Sequence, residues 1–108
     1  MLSLIENNVM YRLGRNAREN FDLIDDADEN DIWFHLDDIP SGHCIIKIPK
    51  DSCLTNEIKF FAGSLLKKYS KAKNMKNVQV IFTEVKNVVK TKNLGEVKLK
   101  KKDGNFFC

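Results

Sequence analysis

One stretch of this 108-residue chain demands a helix, and its flanks restrict what that helix can pack on. From Thr55 to Lys73, the residues Ile58, Phe61, Ala62, Leu65, Leu66, Tyr69 and Ala72 recur at spacings of 3-1-3-1-3-3. That is the apolar stripe of one helical face. Thr55 or Ser52 is placed to cap its start, and Glu57 lies in the first turn, where a carboxylate suits the helix dipole. Lys67, Lys68, Lys71 and Lys73 crowd the other end, and Asn74 is suited to a left-handed stop.

On either side of this stretch the period falls to two. Val9–Leu13, Ile32–Leu36, His43–Ile48 and Val78–Glu84 read as strands. Between the first two, Arg15–Asn20 is polar and turn-like, Phe21–Ile24 is a short apolar patch, and Asp25–Asp31 is an acidic loop. Pro40, Ser41 and Gly42 make a second loop. Near the end, Val97 and Leu99 alternate with charged residues. Asp103-Gly104 is a hairpin signal, and Asn105–Cys108 is the expected return strand. Strands, one long helix, then strands is an α+β order: a mainly antiparallel sheet with a helix over about 55–73 packed on it. The length suits one domain over residues 1–108.

Charge divides the chain. Residues 1–50 hold five Lys/Arg and ten Asp/Glu, whereas residues 51–108 hold thirteen Lys and five Asp/Glu. A basic half suits a polyanionic partner, or is simply a solvated surface. All its cations are Lys, which meets phosphate as a point charge and does not read base edges as a fork. Binding of that kind is salt-sensitive and weakly sequence-specific. Three scattered cysteines (Cys44, Cys53, Cys108) argue against a disulfide framework and for a reducing, cytoplasmic setting. No apolar run approaches the ~20 residues of a membrane span, and the first residues lack the pattern of a secretory signal.

The only Trp and both His lie within eleven residues, from Trp33 to His43. Alternation puts Ile32, Phe34 and Leu36 on one face, as core under the helix, and Trp33 with His35 on the other. That second face is either an accessible platform for unpaired bases or the lid of a second small core. His35, His43, Cys44 and Cys53 match no close-paired metal-ligand spacing. The Asp-rich stretch supplies carboxylates for a metal-dependent nuclease, but acidic loops are usually only solvated. Gly14-Arg15-Asn16 with Arg18 is either a phosphate-contacting turn or a plain reversal of the chain. No Gly-rich nucleotide-triphosphate motif is present. Lys67–Lys76 and Lys86–Lys92 would form one basic patch if the helix end and the later segment lay side by side.

In order along the chain, GRNAREN with Asp22-Leu23, DIWFH, PSGH followed by Cys44-Ile45-Ile46, YSKAKN, VQVIFTEVKNVVK, and Gly95 with Val97 resemble the NFACT-R domain. This is the RNA-binding module of the NEMF and fibronectin-binding-protein-like family. The likeness runs from about Val9 to Val97, and Leu94 stands where the family often has Pro. The resemblance implies a non-enzymatic RNA-binding module, with no cofactor and no metal. In the large family members it serves ribosome-associated quality control on the large subunit. The chain shows no counterpart of their other domains, so it is not expected to perform that whole task alone.

At matching positions the implied binding set is Arg15, Asn16, Asn20, Trp33, His35 and His43. Lys71, Lys73, Lys86 and Lys90 are the implied phosphate contacts. The implied partner is tRNA or rRNA, in a cytoplasmic and ribosomal setting without membrane insertion. DNA stays open as a ligand. The rivals are a protein-interaction adaptor and, further off, a small metal-dependent nuclease.

Overall fold

The computed structural model describes residues 1–49 and 52–108. Its first two strands, β1 (Leu2–Glu6) and β2 (Val9–Gly14), form a hairpin closed by Asn7 and Asn8. Both turn residues have positive φ, 50° and 66°, in the two-residue turn that matches strand twist. Neither β1 nor this turn was expected. The signal was a short alternation, Leu2 and Leu4 opposite Leu13 and Tyr11, across two residues that tolerate left-handed backbone.

The expected turn at Arg15–Asn20 is instead the start of a helix, α1 (Ala17–Asp26). Asn16 caps it, its side chain accepting the Glu19 N–H at 2.9 Å. Only Asn20 and Leu23 of α1 are buried, a stripe too thin to register as periodic.

Then follow β3 (Ile32–Leu36), β4 (His43–Ile46), α2 (Asn56–Lys68) and β5 (Gln79–Glu84). A 3-10 turn over Val85–Asn87 leads to β6 (Val88–Lys90), β7 (Val97–Leu99) and β8 (Gly104–Phe107). Six strands form one sheet in the order β1-β2-β4-β3-β5-β8, and every pairing is antiparallel. β6 and β7 form a separate ribbon.

The sheet separates two apolar layers. Leu13, Cys44, Phe34 and Phe82 are paired neighbours across four strands and face α2, which contributes Ala62, Leu65 and Leu66. Trp33, Ile45 and Ile81 face the opposite way, under Leu23 of α1 and Val88 of the ribbon. Fully burying a side chain of this size contributes roughly 1.5–3 kcal/mol, so both layers support the fold. Burial pushes the Cys44 thiol up to about 12, which makes it an inert core residue.

Several expectations shift, and the strand expected over His43–Ile48 ends at Ile46. The long helix stops at Lys68 rather than Lys73, and its C-cap is Tyr69. The Ser70 hydroxyl donates to the Lys67 carbonyl and accepts the Ala72 N–H, replacing helical bonds with a local turn. Ala72 still reaches the core, now from that turn, so the apolar spacing outran the helix. Asp103-Gly104 does not close a β7–β8 hairpin. β7 pairs with β6, and β8 pairs with β5. Partial burial works against charge on Asp103. Hydrogen bonds from the Glu84 N–H and the Thr83 hydroxyl, with Lys101 nearby, outweigh it and hold the carboxyl below its usual range.

Candidate nucleic-acid interface

Four segments distant in sequence meet at one end of the sheet and leave a cleft of about 400 Å³. Its walls are Arg15–Ala17 and Asn20 from the start of α1, Pro40–Gly42 from the β3–β4 loop, Tyr69–Lys71 after α2, and Leu94–Gly95 from the ribbon tip. Two glycines make the convergence sterically possible. A Cβ on Gly42 would lie 1.9 Å from the Gly14 carbonyl oxygen. Gly95 has φ +82°, and a Cβ there would sit 2.7 Å from that of Ala17. Pieces of the sequence that seemed unrelated (GRNAREN, PSGH, YSK and Gly95) are thus walls of one depression.

Asn20 ties the cleft to the sheet. It is only 6% exposed, and its Oδ1 accepts the His43 N–H at 3.0 Å. Arg15 is half exposed at the rim, with its Nε 3.6 Å from Glu19. The Glu19 carboxyl is held below its usual range by the α-amino group of Met1 and by the Arg15 N–H. Among the described residues no carboxylate lines the cleft itself, and Lys71 supplies a second cation.

The expected set divides. Arg15, Asn16, Asn20 and Lys71 are brought together here. Trp33 is not an accessible platform: it is 2% exposed and belongs to the second core. His43 is equally buried, and His35, only partly buried, stacks on Trp33 at 5.6 Å with an interplanar angle of 1°. His43 packs edge-on to both, at 5.2 and 5.3 Å. Burial pushes His43 down to about 3, with His35 adding to the effect, and burial also lowers His35. These rings are neutral and apolar in role at neutral pH. It is the His43 backbone N–H, not a ring, that holds Asn20.

The two lysine runs do not merge. Lys73 borders a shallow groove with Ser64, Lys67, Lys68 and Asn74 beside the end of α2. Lys86 and Lys90 lie on the other side of the sheet, with the ribbon. Lys86 Nζ is 3.6 Å from Glu84. Lys90 pairs with Asp25 and lies over the Phe21 ring, 5.4 Å from its centroid. The cleft is what they share, because Tyr69–Lys71 leads from α2 and Leu94–Gly95 from the ribbon. Tyr69 was assigned to the apolar helix stripe, yet it is 45% exposed at this cleft. Among the described residues, no group of three His, Cys, Asp or Glu is placed to hold a metal ion.

The family described as the NFACT protein RNA binding domain matches residues 4–103. The chain belongs to that family. Coiled-coil domain-containing protein 25 of Danio rerio is 30% identical over 86 residues, covering 76% of this chain and 42% of the relative. The Rqc2 homolog RqcH of Streptococcus suis is 34% identical over 79 residues, covering 72% of this chain and 14% of the relative. A solved structure, the C-terminal part of the fibronectin/fibrinogen-binding protein from Streptococcus suis, superposes with a TM-score of 0.83. It is 27% identical and covers 97% of this chain and 43% of that one. The chain therefore spans less than half the length of these relatives. As an NFACT-R domain it is a non-catalytic unit of macromolecular recognition. No helix among the described residues is long and apolar enough to cross a membrane.

Proposed function

We propose that this NFACT-R domain binds structured RNA, tRNA or rRNA, through its phosphates, in a cytoplasmic and ribosome-associated setting. The observation that carries the reading is the cleft. It sets Arg15 and Lys71 around a concave surface that no carboxylate lines, next to the lysine-bordered groove at Lys73. The family description and the likeness to RqcH support the same reading. Arg15, Asn16, Lys71 and Lys73 are the proposed contacts. Lys86 and Lys90, on the ribbon side of the sheet and away from the cleft lining, are secondary ones. Burial of Trp33 and His43 argues against them as base-stacking groups and favours contacts of the sequence-tolerant kind.

The direct test is binding of tRNA and large-subunit rRNA fragments at about 50 mM salt, repeated at higher salt. Binding should weaken steeply with salt, and Lys71→Glu with Lys73→Glu should weaken it about tenfold or more. Absence of binding at low salt would overturn the reading.

A protein partner is the second reading, and it has specific support. The superposing Streptococcus suis structure is titled a fibronectin/fibrinogen-binding protein. Ile5 and Met10, paired neighbours on β1 and β2, also stay exposed on the outer sheet face. Capture of a protein that survives nuclease treatment and is lost in Ile5→Lys with Met10→Lys would favour that reading.

A further inference from the structure

The cleft has the size and donor set of a site for one nucleotide rather than for the side of a duplex. At about 400 Å³ it falls within the range of small-ligand pockets. Its polar equipment is asymmetric. Arg15 and Lys71 supply positive charge, and the exposed ring of Tyr69, with the Lys68 ammonium 5.5 Å from its centroid, supplies an aromatic surface.

Asn20 is the independent sign that something polar is received here. The His43 N–H must have an acceptor, which fixes Oδ1 inward and turns Nδ2 the other way. Among the described residues Nδ2 has no hydrogen-bond partner, yet the residue is 6% exposed and lines the cleft. A nine-tenths-buried amide with one end committed presents a fixed donor to whatever occupies the cleft. Two other depressions carry acids: a larger one near the start of α2 has Glu6 and Glu57, and one of similar size beside β4 has Asp26 and Asp31. Those would repel a phosphodiester, and this one would not.

We infer that the cleft receives a single unpaired nucleotide of the bound RNA, with its phosphate between Arg15 and Lys71, its base against Tyr69, and the Asn20 amide donating to it. This rests on the RNA reading above and adds a requirement to it: the RNA must offer a bulged, looped or terminal base. Stacking an unpaired base on an aromatic ring strengthens binding severalfold or more. A perfect duplex gains only phosphate contacts.

The test compares a blunt RNA duplex with the same duplex carrying one unpaired adenosine, by fluorescence anisotropy at about 50 mM salt. The protein should prefer the bulged RNA about tenfold. Tyr69→Ala should remove that preference, and Tyr69→Phe should keep it. Equal affinity for both RNAs, or a preference that survives Tyr69→Ala, overturns this inference and leaves the RNA reading standing. Binding to neither RNA overturns both.

Discussion

The two faces of the sheet are covered in opposite ways. Under α2 lie thirteen buried residues contributed by four strands, one helix and the turn after it. The opposite face has six, covered in pieces by α1 and the β6–β7 ribbon. The first face is apolar throughout. The second mixes Trp33 with two histidines, and both the Trp33 Nε1 and the His43 Nδ1 are buried without a partner. A continuous helix can satisfy its own backbone and offer only hydrocarbon to the sheet. Short covering pieces end over the sheet and bring polar atoms with them. The cleft opens where those pieces end, which is where a protein has side chains to spare for a ligand.

The largest expected effect tests whether the second face is a core at all. Phe34→Ala and Trp33→Ala should each destabilise by about 3–5 kcal/mol, read by chemical denaturation. If Trp33→Ala cost less than about 1 kcal/mol while Phe34→Ala kept its full effect, the faces would not be two cores.

Acid should separate the faces next. His43 lies near 3 in the folded chain and near 6.5 when unfolded, so the unfolded chain takes up its proton first. Stability is therefore complete above pH 6.5 and falls as pH drops toward 3, by roughly 1 kcal/mol per unit. Denaturation at pH 7, 6 and 5 should show that slope. His43→Leu should flatten it even if its stability at neutral pH is lower. A native chain with no slope in this window would contradict the neutral stack.

The smallest effects compare the two helix caps. Thr55→Ala and Asn16→Ala should each cost about 1 kcal/mol. Thr55→Ala should leave RNA affinity untouched, because it lies at the far end of α2 from the cleft. Asn16→Ala should also lower affinity, because α1 begins in the cleft wall. Equal affinity losses would mean that the cleft has no special place in binding.

These contrasts explain what could be read in advance. The long helix was legible because its stripe repeats over many residues, and the central strands because their alternation places bulky apolar side chains. α1 was missed because one leucine and one asparagine are all it buries. Asn16 and Glu19 were present as a capping signal but were outweighed by the polar composition around them. The hairpin at Asp103-Gly104 was misplaced because turn chemistry says that a chain reverses, not which strand it then joins. Arg15, Asn16, Asn20 and Lys71 were named without any sign that they meet. The Trp33–His35 face was left as platform or core, and neither residue's identity could decide between them.

The sequence by itself determined the α+β class, the face of the long helix, the alternation of the central strands and the family. Each is written in local periodicity or in ordered motifs. Only the tertiary structure decided that Trp33 and His43 are buried, because burial depends on α1 and the ribbon arriving from elsewhere in the chain. Only it decided that Gly42 and Gly95 stand at the junctions of one cleft. Close approach is a property of two backbones, and a single run of residues records only that a side chain is missing.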